Sequence, residues 1–149
     1  MYPDSSMSYD IGHRGSTWVV GIERGKIQEF AKATHSKSKA FRGEQAITPP
    51  TFLMTASNWA PRGARIELDF DWARVVHGEQ EFTFFGPPPR AGDVLYASEY
   101  LEERYEKESR SGGTMRFAVV VTEFHKSDES LVAQARRTVI ERAPFKAST

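Results

Sequence analysis

The chain has 149 residues, enough for one domain with one sizeable core, and its 39% hydrophobic and 27% charged residues exclude disorder over most of its length. Twenty basic residues balance twenty acidic ones, which argues against a nucleic-acid binder held by bulk charge. No apolar run approaches the roughly 20 residues of a membrane span, and without cysteine there are no disulfides, thiolate nucleophiles or sulfur metal sites. Because the first residues are polar and lack an apolar signal core, we expect a cytoplasmic protein.

The first part of the chain predicts an arm followed by a helix. Residues 1–16 are rich in Ser, Gly, Tyr and Asp without periodicity, so we expect a flexible N-terminal arm and a single domain over 17–145. From Glu23 to Thr34 the apolar positions fall at i, i+3, i+4 and i+7, which predicts an amphipathic helix.

A second helix is predicted after Thr48-Pro49-Pro50, because proline is tolerated at the first position of a helix. Its apolar stripe is Phe52, Leu53, Ala56 and Trp59, and Pro61 ends it. No charged residue occurs between Thr48 and Ala60, so we expect this helix to be buried on most sides.

Alternating apolar and polar residues predict strands over the rest of the chain. The predicted strands are 66–72, Val75–Phe85 with a bulge at Gly78, Val94–Tyr105, Met115–Phe124 and Leu131–Glu141. Helices followed by consecutive antiparallel strands indicate an α+β fold. A curved antiparallel sheet wrapped around a buried central helix, the hot-dog fold, fits this order best; an open sandwich and a β-grasp-like domain are the alternatives.

Few residues carry an obvious chemistry. The four histidines, His13, His35, His77 and His125, show no metal-ligand spacing, so we expect no metal site. The sequence also lacks a phosphate-binding glycine loop and a Gly-x-Ser-x-Gly elbow. Asp69 and Asp71 share a strand face with Glu67 and are interpreted as solvated, as is the glutamate-rich stretch 99–108.

Charge is uneven near the first helix. Six basic residues and one acid lie between Arg24 and Arg42, and Lys37, Lys39 and Arg42, here called the basic rim, crowd the loop between the helices. The rim is either a solvated face or a surface for an anion such as the phosphates of coenzyme A or an acidic carrier protein.

Four segments stand out together: 20–31, 48–52, 68–82 and 89–95. In this order they resemble the MaoC-like dehydratase family in its N-terminal-domain type, which is related to fatty-acid-synthase dehydratases and (R)-specific enoyl-CoA hydratases. The resemblance runs from Val19 to Arg142. The resemblance implies a hot-dog fold and hydration of enoyl thioesters, or dehydration of (R)-3-hydroxyacyl thioesters. It also implies substrate at the junction of two hot-dog units whose sheets join edge to edge, with no cofactor beyond the coenzyme A or acyl-carrier thioester itself.

The chain departs from the family at the catalytic pattern Gly-Asp-x-Asn-Pro-x-His. His35 stands at the Gly, Ser36 at the Asp and Phe41 at the His, so the general acid and base of the family are absent from these positions. His35 is the alternative, as a displaced base. We expect the acyl-pocket wall to be formed by residues of the first inter-helix loop, the second helix start and the bulge: Phe41, Pro50, Thr51, Phe52, His77 and Gly78.

Three functions stay open at this point. The leading hypothesis is a non-catalytic hot-dog subunit of an enoyl-thioester hydratase, paired with a subunit that carries the Asp/His dyad. The second is a self-sufficient hydratase or a hot-dog thioesterase. The third is an acyl-thioester-binding protein without catalysis.

Overall fold

The computed structural model describes residues 10–145 and contains one curved five-stranded antiparallel sheet. Along the chain the elements are β1 (Trp18–Gly21), α1 (Arg24–Ala33), β2 (Val75–Phe84), β3 (Val94–Glu108), β4 (Thr114–His125) and β5 (Leu131–Glu141). The strand order is β1-β3-β4-β5-β2, so β1 and β2 form the two edges. Three short 3-10 helices cover Lys39–Phe41, Phe52–Trp59 and Trp72–Arg74. The predicted α+β hot-dog fold is confirmed.

The sheet follows from the alternation of side chains. On β4, Ala118 and Val120 enter one apolar cluster on the inner face, while Val119 and Val121 lie on the opposite face. The predicted bulge is confirmed, because the register of β2 against β5 shifts between His77 and Glu79. A Cβ at Gly78 would lie 2.5 Å from Cδ1 of Ile140, so glycine lets the two strands approach at this point.

The described end of the predicted arm is attached to the sheet. The backbone N–H of Gly12 donates to the carbonyl of Leu101 at 2.7 Å, and that of Gly15 donates to the carbonyl of Glu99 at 2.9 Å. A Cβ on Gly15 would lie 2.0 Å from the carbonyl oxygen of Ala64, so the arm also packs tightly on the loop before residue 65. Residues 12–15 of the predicted arm thus contact the domain, its first nine residues lie outside the described part, and its flexibility stays a prediction.

The second predicted helix forms with a different geometry. Residues Phe52–Trp59 form a 3-10 helix rather than an α-helix, and its inner side packs against the sheet. The indole N–H of Trp18 donates to the carbonyl of Ala56 at 3.1 Å and ties this helix to β1. Met54 and Trp59 are 42% and 46% exposed, so burial on most sides was a wrong expectation.

The predicted strand at 66–72 joins no sheet, and its last residue, Trp72, begins the 3-10 helix Trp72–Arg74. Ile66, Leu68 and Phe70 are buried in a cluster with inner-face residues of the sheet, as their alternation predicts. Trp72 is 65% exposed, against expectation. This covering segment, residues 65–71, lies across the inner face of the sheet. None of the helices in residues 10–145 has the length and apolar character needed to cross a membrane.

Candidate functional site

A cavity of about 850 Å³ lies between the 3-10 helix Phe52–Trp59, the covering segment and the inner face of the sheet. The 3-10 helix contributes Leu53, Met54, Ala56 and Ser57 to its wall. The sheet contributes residues mainly from β4, β5 and the edge strand β2, which supplies Val75, His77 and Gln80. The cavity therefore reaches the edge of the sheet at β2, where no further strand of the described chain covers it.

The floor of the cavity is part of the inner face of the sheet, whose side chains strand registry arranges in rows across the sheet. The first row is apolar, the second to fourth mix polar with apolar side chains, and the last carries three charged side chains beside one valine. From first to last, the rows are Ala97-Phe124-Ala133-Phe84, Glu99-Thr122-Ala135-Phe82, Leu101-Val120-Arg137-Gln80, Arg104-Ala118-Val139-His77 and Glu106-Arg116-Glu141-Val75. The inner face of the sheet thus changes from apolar to mostly charged over five rows.

Glu99 is the most deeply buried charge on this floor, with 1% of its surface exposed. Its Oε2 accepts a hydrogen bond from the backbone N–H of Ile66 at 2.9 Å, which fixes the start of the covering segment. Arg137 pairs with Oε1, and Nε of Arg65 lies 3.7 Å from Oε2. Burial and the charge of Arg137 lower the pKa of the Arg65 guanidinium, while Glu99 raises it. Two cations therefore face one buried carboxylate.

A second ionic cluster fixes the far end of the covering segment. Asp69 pairs with Arg104 and, at 3.2 Å, with Nη1 of Arg116, while Arg116 and Arg74 both pair with the buried Glu141. Arg116 also donates to the backbone carbonyl of Asp69 at 2.8 Å. Partial burial raises the pKa of the Asp69 carboxyl, but its hydrogen bond from Arg104 and the charges of Arg104 and Arg116 outweigh this and lower the pKa overall.

The predicted acyl-pocket residues are divided between this cavity and other places. His77 lines the cavity and Gly78 follows it in the bulge. Phe52 is buried, with its ring edge-on to Phe30 at 5.6 Å, and Phe41 packs partly buried on the same core. Pro50 and Thr51 are exposed at the start of the 3-10 helix. Among the described residues, the structure brings only His77 of these six onto the cavity wall, and the substrate roles of the set stay predictions.

The residues predicted at the family dyad positions follow α1, Ser36 on the loop and Phe41 at the end of the 3-10 helix Lys39–Phe41. His35 is exposed in the left-handed region at φ 57°, and the hydroxyl of Ser36 accepts a hydrogen bond from the backbone N–H of Ser38 at 3.3 Å. Neither these two residues nor Phe41 lines the cavity. Within residues 10–145, His, Asp and Glu side chains form no group of three that could hold a metal ion.

The basic rim is solvent-facing in the structure, with all three of its side chains exposed. The 3-10 helix Lys39–Phe41 begins at Ser38, whose hydroxyl accepts a hydrogen bond from the backbone N–H of Ala40 at 3.3 Å. The geometry is compatible with both readings of the rim, a solvated surface or an anion-facing one.

Sequence reasoning missed the charged residues of the cavity. It interpreted Asp69 as solvated and Glu99 as part of an exposed strand end, whereas Asp69 is ion-paired and Glu99 is buried. A signal for Glu99 existed, because period-2 alternation places it on the same face as Leu95, Ala97 and Leu101. No comparable signal pointed to Arg65, which precedes the alternating run.

Comparison with known proteins gives a family match over most of the chain. Residues 9–135 match the family described as FAS1-like, dehydratase domain region. A UPF0336 protein of Saccharopolyspora erythraea is 32% identical over 133 residues, which cover 81% of each chain. A UPF0336 protein of Streptomyces coelicolor is 36% identical over 93 residues, so the match spans 54% of this chain and about three fifths (61%) of that relative.

Solved structures share the fold. A chain of the HadBC complex of Mycobacterium tuberculosis, a (3R)-hydroxyacyl-ACP dehydratase, superposes with a TM-score of 0.64 at 23% identity, covering 90% of this chain and 99% of that one. A chain of the ChsH1-ChsH2 complex of the same organism gives a TM-score of 0.64 at 17% identity, covering 90% and 86%. At these identities the likeness shows a common hot-dog architecture.

Proposed function

Since the chain belongs to the MaoC-like hot-dog family, in its FAS1-like dehydratase region, we propose that it is a subunit of an enoyl-thioester hydratase or (R)-3-hydroxyacyl-thioester dehydratase. In this proposal it contributes an acyl-binding cavity, and a second hot-dog subunit supplies the catalytic Asp and His. The substrate is an acyl thioester of coenzyme A or of a carrier protein.

The observation that carries the proposal is the chemistry of the loop after α1. A hydroxyl held by a local backbone N–H, at Ser36, does not act as a general base at neutral pH, and the ring of Phe41 has no exchangeable proton. The cavity itself holds carboxylates that are paired with arginines. In our proposal this site binds and shapes a substrate, and the second subunit carries out the proton transfers.

The edge strand β2 supports the need for a second subunit. An edge strand presents unpaired N–H and C=O groups, and β2 is 10 residues long with Val76 39% exposed. His77 and Gln80 belong both to this edge and to the cavity wall. A second sheet that joins β2 would therefore extend the cavity wall. The two solved neighbours described above are themselves complexes of two different chains, which favours a hetero-oligomer.

The basic rim fits the carrier end of the substrate. Its three side chains are exposed and carry three positive charges within six residues, which suits the phosphates of coenzyme A or the acidic surface of a carrier protein. The rim lies on the loop next to the family dyad positions, where the thioester would be held in an active half-site.

Three hydratase assays on a short 2-enoyl-CoA test the proposal: this chain alone, a dyad-bearing partner alone, and the mixture. We expect near-background activity from this chain alone, because general acid and base groups each contribute on the order of 10² to 10⁴-fold. The mixture should be active, and sedimentation of the purified chain should show a dimer or larger species rather than a 16.8 kDa monomer.

In the alternative of a self-sufficient enzyme, His77 is the candidate catalytic base, because within residues 10–145 it is the one imidazole that lines the cavity. His77→Ala and His35→Ala variants separate the readings. Under our proposal both variants support the activity of the mixture. Turnover by the lone chain that either substitution abolishes would contradict the proposal and make this protein an enzyme in its own right.

A further inference from the structure

We propose that Arg65, Arg137 and Thr122 form a carboxylate-binding subsite inside the cavity, so that the preferred acyl chain carries an anionic group away from its thioester. The inference rests on the proposed function in one respect, that an acyl thioester enters this cavity. The subsite lies on the second and third rows of the floor and at the start of the covering segment.

These three residues present hydrogen-bond donors that the protein does not use. A guanidinium has five N–H donors. Arg137 forms an ion pair with one partner, Glu99, so most of its donors remain available to a ligand. Within residues 10–145, Arg65 makes no hydrogen bond and approaches Glu99 only at 3.7 Å, and the hydroxyl of Thr122 has no partner. All three residues line the cavity. A ligand that fits here must bring acceptor oxygens.

The net charge of the cluster favours an anionic ligand over a neutral hydrogen-bond acceptor. Two guanidiniums face one carboxylate, which leaves a surplus of one positive charge beside a carboxylate that is 1% exposed. The other acidic side chains around the cavity do not neutralise this surplus positive charge. Asp69, Asp71 and Glu141 are paired with Arg74, Arg104 and Arg116, and Glu67 is exposed to solvent.

A plain alkyl chain suits this position poorly. It would strip water from the guanidinium donors without replacing the lost hydrogen bonds, which is costly. A carboxylate matches the planar fork of an arginine and accepts two parallel hydrogen bonds. Phe124 lines the cavity two residues from Thr122 on β4, which is about 7 Å along a strand, so an acyl chain packed on Phe124 has this cluster within reach of its far end.

Binding of three thioesters to the purified full-length chain tests the subsite by calorimetry. The probes are decanoyl-CoA, its counterpart with a terminal carboxylate (the mono-thioester of decanedioic acid) and coenzyme A alone. We expect the carboxylate-bearing thioester to bind about tenfold more tightly than decanoyl-CoA, as one charge-assisted hydrogen bond would give.

Two variants and a control assign the preference to the cluster. Arg65→Met removes the surplus charge and keeps the Glu99–Arg137 pair, and Thr122→Val removes one donor with little change in shape. Arg65→Met should abolish the preference and Thr122→Val should reduce it, whereas Arg110→Met, the same charge change at an exposed position, should leave it intact. Circular dichroism and thermal unfolding verify that each variant is folded.

The outcomes separate this inference from the proposed function. Equal affinity of the two acyl thioesters, or a preference that survives Arg65→Met, overturns the subsite and leaves the proposed function standing. Binding of coenzyme A alone that depends on Arg65 also overturns it, because the anion would then be a phosphate. Failure of all three probes to bind contradicts the subsite and the acyl-binding role together.

Discussion

Replacing Asp69 by Asn should loosen the covering segment that forms one wall of the cavity. The carboxylate of Asp69 pairs with Arg104 and Arg116, which project from the neighbouring strands β3 and β4. Asn keeps the size of the side chain and one acceptor oxygen but removes the charge. The buried side chains of Leu68 and Phe70 on either side stay unchanged, so the variant should fold.

The magnitude follows from the exposure of the three side chains. Asp69, Arg104 and Arg116 are 25%, 23% and 32% exposed, so the pairs are neither free in solvent nor fully buried. Exposed ion pairs contribute about 0.2–1 kcal/mol and hydrogen bonds to charged groups about 1.5–3 kcal/mol, which places the loss at roughly 1–2 kcal/mol. For a domain of this size that corresponds to a fall in Tm of about 2–8 °C.

The loss of stability caused by Asp69→Asn should depend on pH. The pKa of the Asp69 carboxyl is lowered in the folded state from an ordinary value of 3.8. A lowered pKa stabilises the fold at pH values above the unfolded pKa, and this contribution disappears as the pH falls through the folded pKa. The unfolding free energies of wild type and Asp69→Asn should therefore show their full difference at pH 7 and converge as the pH drops below about 3.8.

Urea unfolding followed by tryptophan fluorescence at pH 7 and pH 3 measures this difference in unfolding free energy. Glu67→Gln is the matched control, since it makes the same charge change on the same segment at an exposed position without an ion pair among the described residues. Equal destabilisation by the two substitutions at pH 7, or a difference between wild type and Asp69→Asn that is no smaller at pH 3 than at pH 7, would refute the role of Asp69 as an anchor.

Two further predictions concern the edge of the sheet and the basic rim. Gly15→Ala should destabilise the fold by about 1–3 kcal/mol, because its Cβ would lie 2.0 Å from a backbone oxygen of Ala64. Gly21→Ala is the control, since nothing lies within 4 Å of its Cβ. Equal Tm values for the two variants would contradict the close packing at Gly15. Replacing all three residues of the basic rim by Glu should weaken binding of acyl-CoA, more strongly at low salt. An unchanged affinity and salt slope in a calorimetric titration would make the rim only a solvated face.

Much of the sheet was predictable because alternation records which side of a strand is buried. The sequence places β5 at its observed bounds, Leu131–Glu141, and β2, β3 and β4 within a few residues of theirs. It also predicts the bulge at Gly78, since a glycine inside an alternating run breaks the pairing pattern. The family resemblance found from four short segments is confirmed by the match over residues 9–135.

The same alternation misleads at 66–72. Ile66, Leu68 and Phe70 alternate with acids and are buried as predicted, yet their backbone joins no sheet. Alternation indicates that one face of the segment is buried, but it does not show whether the backbone forms hydrogen bonds with a neighbouring strand. The covering segment is instead held by side chains, through Glu99 at one end and Asp69 near the other.

By itself the sequence determined the first helix, the four strands β2 to β5, their order and most of the apolar residues that turn inward, because these follow from local periodicity and turn chemistry. The resemblance also predicts that Ser36 and Phe41 occupy the family's dyad positions. Only the tertiary structure decided that Arg65, Glu99 and Arg137 meet, because they are brought together from a loop and two strands that lie far apart along the chain. The strength of a charge pair depends on distance and burial, and the folded chain alone sets both.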